Sequence, residues 1–161
     1  MVTMATAEMI CPNFPQLSPL RTPQGAETPV LSVSPIAGDH TALRELVSGM
    51  PCQIDIATTC RYAFWWLSHT PASIIICERD LPDGTWRDVL NHVGAGAGKP
   101  FLIVTSRLAD EALWAEVLNL GGFDVIAKPF HPREVRHVLE TACLRNVRNT
   151  AASHAAASAG R

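Results

Sequence analysis

The sequence predicts an α/β protein in which five βα units wind into a doubly wound, parallel five-stranded sheet, a three-layer sandwich with helices on both faces. Two observations carry this. Strand-like and helix-like segments alternate from Pro29 to Asn146. Three of the strands are almost wholly apolar, as a strand covered on both faces must be. Right-handed crossovers then place helices on both sides of the sheet.

Each element has its own signal. Pro29 to Val33 is a short β-rich run, and Leu43, Leu46 and Val47 follow at helical spacing, closed by Gly49 and Pro51. Gln53 to Ala57 alternates polar and apolar, which suits a strand with one exposed face. Thr59 can cap the helix that holds Ala63, Phe64 and Leu67. Ile74 to Cys77 is uniformly apolar, and the turn Leu81-Pro82-Asp83-Gly84 leads into a short helix from Trp86 to His92. Pro100 to Thr105 is the fourth strand. Asp110 caps a helix with inward Leu113, Val117 and Leu120, stopped by Gly121-Gly122. Phe123 to Ala127 is the fifth strand, and Pro132 opens a last helix with Val135, Val138, Leu139 and Ala142 on one face.

The ends read differently. Residues 1–28 carry Pro12, Pro15, Pro19 and Pro23 without a sustained period, and form an expected flexible N-terminal arm. Residues 29–146 are the folded domain, and 147–161 an Ala/Ser-rich flexible tail. Alanine lets the last helix continue into that tail, but no apolar stripe is there to dock it.

Composition narrows the function. Lys and Arg number 13 against 15 Asp and Glu, so there is no basic excess of the kind that neutralises nucleic-acid phosphates. No apolar run is long enough to cross a membrane. Of the five cysteines, Cys52, Cys60, Cys77 and Cys143 lie in apolar runs and read as small buried hydrophobes. With no C-x-x-C pair, neither a zinc site nor a redox motif is suggested, and a reducing, cytoplasmic compartment fits. In a doubly wound sheet the ligand site lies at the carboxyl ends of the strands. There the sequence places Ser34-Pro35, Thr58, Glu78, Thr105-Ser106 and Lys128-Pro129.

Three of these signals, in order, resemble the response-regulator receiver (CheY-like) family, whose fold is flavodoxin-like. Glu78-Arg79-Asp80-Leu81-Pro82-Asp83-Gly84 is similar to that family's D-x-x-L-P-D-G, with Glu78 where the phosphoacceptor aspartate stands. Thr105-Ser106 resembles its Thr-Ala switch position, and Lys128-Pro129-Phe130 its K-P-F, whose Lys-Pro bond is typically cis. The resemblance covers roughly Val30 to Leu144. It implies a stand-alone receiver-like module that transmits signals by protein–protein contact in a two-component or phosphorelay setting. Its partners would be a histidine kinase or an effector, with a weak homodimer left open; neither enzymatic activity nor a cofactor is implied.

The departures from the family pattern are specific. Ser34 and Pro35 stand where a receiver has two acidic residues that hold Mg²⁺ with the acceptor aspartate, and the nearest acid, Asp39, falls in the following helix. Mg²⁺ requires a rigid octahedral oxygen shell, so no metal site is expected. The family's aromatic switch position is Val125. The pattern is that of a degenerate pseudo-receiver, expected to act independently of phosphorylation. Glu78 either reaches Lys128 and imitates the charge of an acyl phosphate, or is a drifted, half-solvated acid. Lys128 either pairs with Glu78 or persists for the shape of its turn. Thr105 either bonds the pocket acid or is an ordinary strand-end threonine. Trp114 and Val125 mark a candidate partner face; for Trp114 the competing reading is a ring covering a helix edge. Two other readings stand beside this one: phosphorylation on Asp80, and a flavodoxin-like small-ligand-binding protein or enzyme. The second would need a phosphate-cradling loop after the first strand, where only Gly38 is a glycine and Pro35 has no N–H.

Overall fold

The computed structural model describes residues 27–96 and 98–158. In chain order the elements are β1 (Thr28–Val33), α1 (Ala37–Leu46), β2 (Cys52–Ala57), α2 (Cys60–His69), β3 (Ile74–Glu78), β4 (Asp80–Leu81), β5 (Gly84–Thr85), α3 (Trp86–Val93), β6 (Phe101–Ser106), α4 (Glu111–Leu120), β7 (Asp124–Ala127) and α5 (Pro132–Ser158). The main sheet is parallel throughout, in the order β2-β1-β3-β6-β7. The expected doubly wound α/β fold is the one observed. The tiny β4–β5 hairpin, read in the sequence only as a turn, stands apart from it.

Alternation along the strands sorts the core into two layers. Val30, Ile74, Ile76, Ile103 and Ile126 face α1 and α5, where Leu43, Val135, Val138 and Leu139 meet them. Leu31, Val33, Ile75, Cys77, Leu102 and Val104 face the opposite way, onto Ala63, Trp66, Trp86, Val89, Leu113 and Val117 of α2, α3 and α4. Helix ends fall where local chemistry puts them. Thr59 accepts from the Tyr62 N–H and Asp110 from the Leu113 N–H, while Gly121, with φ of +97°, supplies the left-handed cap that ends α4. Asp83, at the turn of the small hairpin, reaches across to accept from the N–H groups of Cys60 and Arg61, a second cap on α2 from outside the helix.

Both domain edges shift. Thr28, assigned to the arm, already pairs with Cys52 as the first residue of β1; residues 1–26 lie outside the described part of the chain. At the other end α5 does not stop at Asn146. It runs to Ser158, as the alanines allow, and residues 147–158 are helical and exposed. Because that stretch rests on nothing, deleting residues 147–161 is expected to leave the thermal midpoint within about 2 °C of the full chain. Scanning calorimetry checks this; a larger fall would mean that the tail packs on the domain.

Candidate functional site

Register and alternation together gather the site. Val33 pairs with Cys77, so Ser34 is level with Glu78, and Glu78 pairs with Thr105. Thr105 pairs with Ile126, two residues before Lys128. With a side-chain period of two, Ser32, Ser34, Glu78, Thr105 and Lys128 fall on one face at the carboxyl end of the sheet. This is the face that α1 covers, and the first turn of α1 brings Asp39 and His40 over the same spot.

Lys128 is the centre of the site. Its ammonium donates to both Glu78 Oε2 and Asp39 Oδ2. The Lys128 side chain is only 5% exposed and both carboxylates 13%, so the pocket is more closed than the half-solvated one expected for Glu78. The Thr105 hydroxyl donates to Glu78 Oε2 at 3.3 Å, and the Ser34 hydroxyl to Asp39 Oδ2 at 2.6 Å. The ammonium also lies 5.7 Å from the centroid of the Phe130 ring. Among the described residues no buried side-chain nitrogen or oxygen lacks a partner. The Lys128–Pro129 peptide is cis. Pro35 is exposed and takes no part in the contacts.

Asp39 is the residue that sequence reasoning set aside. It was assigned to the helix and discounted, yet the first turn of α1 lies directly over the strand ends. The signal was present: an acid in a first turn is favoured by the helix dipole, and its position puts it near whatever the sheet presents.

His40 is the second. Its Nδ1 is 2.8 Å from the Ser32 hydroxyl and its Nε2 2.9 Å from the Ser34 carbonyl, with the residue 5% exposed. The carbonyl can only accept, so Nε2 carries the proton and Nδ1 accepts from Ser32. Burial pushes the imidazole pKa below its usual value, against the upward pull of the Ser34 carbonyl and Asp39; Arg44 and Lys128 add to the lowering. The unfolded chain therefore takes up a proton that the folded protein refuses, and stability falls as pH falls from about 7 to about 5. Replacing His40 with Gln is expected to flatten that slope in urea melts across this range; an unchanged slope would assign it to other groups.

Against solved structures the likeness is clear in shape and low in sequence. The signal receiver domain of a Vibrio parahaemolyticus protein described as a LuxO repressor superposes with a TM-score of 0.73 at 19% identity, covering 78% of this chain and 97% of that one. The beryllofluoride-activated NtrC4 receiver domain, described as a dimer, gives 0.67 at 17% identity, over 73% and 98% of the two chains. The receiver domain of sensor histidine kinase PA1611 from Pseudomonas aeruginosa, with magnesium coordinated in its active-site cleft, gives 0.62 at 17% identity, over 72% and 97%. The fold is that of a response-regulator receiver domain. No family model and no curated protein matches the sequence.

Within the receiver fold, the residues at the carboxyl ends do not fit Mg²⁺. Among the described residues two carboxylates reach the pocket, Asp39 and Glu78, and the ammonium of Lys128 already lies against both. The other oxygens near it, Ser34 Oγ and Thr105 Oγ1, are neutral and turned toward those same carboxylates. Among the described residues no group of three or more His, Cys, Asp or Glu side chains is arranged so that it could hold a metal ion.

Two further candidates are placed elsewhere. Asp80 is outside this receiver pocket: its carboxylate is 65% exposed and held by Arg79 Nε at 2.8 Å. Val125 is buried in the core between the sheet and α4, so it cannot belong to a partner face. Trp114 can: it is 50% exposed on α4, with its indole N–H donating to Asp124 at 3.2 Å, and Leu118 and Leu120 are exposed on the same helix. The loop after β1 is closed on itself, with the Ile36 N–H donating to Ser34 Oγ and the Asp39 N–H to the Ile36 carbonyl.

Proposed function

We propose that this protein is a receiver-like module of a two-component or phosphorelay system whose output does not depend on phosphorylation. The observation that carries this is the ion pair of Lys128 with Glu78 at the position of the phosphoacceptor. An acyl phosphate would bring negative charge one or two bonds beyond an aspartate carboxyl; a glutamate already places its charge farther out, and here that charge is held on Lys128 and Thr105. The pocket is thus permanently in a charged, paired arrangement, and Asp39 completes it. Without a metal site, phosphoryl transfer lacks the cation that neutralises the developing charge.

In this reading the protein is not an enzyme, acts in the cytoplasm, and holds a receiver-like unit that begins with β1 at Thr28. Its contacts run through the exposed face of α4 around Trp114, toward a histidine kinase, an effector or weakly a second copy; large amphipathic rings are common anchors at such surfaces. A flavodoxin-like ligand binder is disfavoured because the N–H groups of Ile36 and Asp39 in the loop after β1 have internal partners.

Acetyl phosphate with millimolar Mg²⁺, read by intact mass, tests the proposal. The wild type is expected to gain no phosphoryl group, a mass of about 80 Da. The combined variant Ser34→Asp, Pro35→Asp, Glu78→Asp is expected to gain both a saturable Mg²⁺ binding heat and the adduct. A phosphoryl group on wild-type Glu78 or Asp80 would overturn the reading.

A further inference from the structure

We propose that Cys52 and Cys143 form a reversible disulfide that clamps helix α5 to edge strand β2. The two sulfurs are 3.7 Å apart although the residues are 91 positions apart in sequence. Cys52 is the first residue of β2, at the amino end of the sheet and away from the Lys128 pocket. Cys143 follows Ala142 on the face that α5 turns to the core. Sulfur atoms at this separation lie in van der Waals contact, so small side-chain rotations bring them to bonding distance without a rearrangement of the fold. In the sequence these two read as small buried hydrophobes, as do Cys60 and Cys77. Burial removes those two from reach, pushing the Cys60 thiol up to about 11 and that of Cys77 well above its usual value. Cys52 and Cys143 are only half-buried.

The chemistry at the pair is asymmetric. The hydrogen bond between the two thiols, aided by one from Thr28, lowers the Cys143 pKa to about 6 in spite of burial and the nearby Glu140 carboxylate. The lowered pKa favours the Cys143 thiolate, the form that attacks disulfides. Cys52 is pushed the other way, chiefly by its hydrogen bond to Cys143 and then by burial. With glutathione disulfide as oxidant, the Cys143 sulfur attacks one glutathione sulfur and expels glutathione thiolate. The Cys143 charge that held the Cys52 proton is then gone. Cys52 gives up its proton, attacks the Cys143 sulfur and expels the second glutathione. The two protein sulfurs lose two electrons, the glutathione disulfide gains them, and the two glutathione thiolates take up the Cys52 proton and one from solvent.

The full chain equilibrated in glutathione buffers of rising disulfide content, then alkylated and mapped by peptide mass, decides the matter. The expected product is a Cys52–Cys143 linked peptide with a loss of about 2 Da, reversed by dithiothreitol. Closing so long a loop is expected to raise the thermal midpoint by roughly 10 °C. Cys52→Ser is expected to stop at a stable glutathione adduct on Cys143, because the resolving thiol is absent. A lasting adduct on wild-type Cys143, a bond between other cysteines or between two chains, no reaction, or a linked protein with an unchanged midpoint would each overturn the proposal.

Discussion

Replacing Lys128 with Met is expected to destabilise the protein by about 3 kcal/mol at neutral pH, the usual scale when one partner of a buried ion pair is removed. Its ammonium lies on two carboxylates that are each 13% exposed, so the substitution strands two like charges facing each other, with only the Ser34 and Thr105 hydroxyls to oppose them. Glu78→Gln is milder, about 1 kcal/mol, because Lys128 keeps Asp39. The double variant is expected to cost less than the sum of the two, since the repulsion left by Lys128→Met is between Glu78 and Asp39 and vanishes when one is neutral. Urea melts of the four proteins measure this. Strict additivity would mean that the three groups do not act on each other, and the charged-pocket reading of the proposed function would lose its footing.

Trp86→Ala is expected to cost about 4 kcal/mol, within the range for deleting a large buried aromatic. The residue is 1% exposed and is the first residue of α3, packed in the layer that includes Cys60, Ala63, Leu81 and Val89. Its backbone N–H donates to the Arg79 carbonyl at 3.1 Å and ties α3 back to the segment that follows Glu78, a bond that alanine keeps, so the expected loss is that of the ring. The Arg87 guanidinium lies 5.2 Å from its ring centroid. Trp86→Phe should keep most of the stability, because much of the volume remains. A loss below about 1 kcal/mol for the alanine variant, measured by urea denaturation, would contradict the buried position of the ring.

Trp65 and Trp66 show how far residue-level reading reaches. Adjacent residues on a helix point about 100° apart, so the sequence requires that only one of them enters the core. The structure decides which: Trp66 is 9% exposed, while Trp65 is 43% exposed, stacked on Tyr62 and tilted against His69. Phe64, expected to face the core, does so partly and stacks on His92 at 4.2 Å.

What the sequence by itself determined are the features set by local rules. Apolar strands and helical stripes define the five βα units, and chirality turns them into one winding. Because the strands are parallel, their carboxyl ends lie together, and so Glu78, Thr105 and Lys128 were legible by position alone. The Thr59, Asp110 and Gly121 caps were legible for the same reason, since their partners lie within a few residues. Only the tertiary structure decided the rest. Asp39 reaches Lys128 across 89 positions, Asp83 caps α2 from a different loop, His40 is locked to Ser32, and Cys52 meets Cys143. Each of these contacts depends on how a helix is placed over the sheet, to within an ångström or two. That placement is fixed by the packing of the whole core, and no local run of residues encodes it.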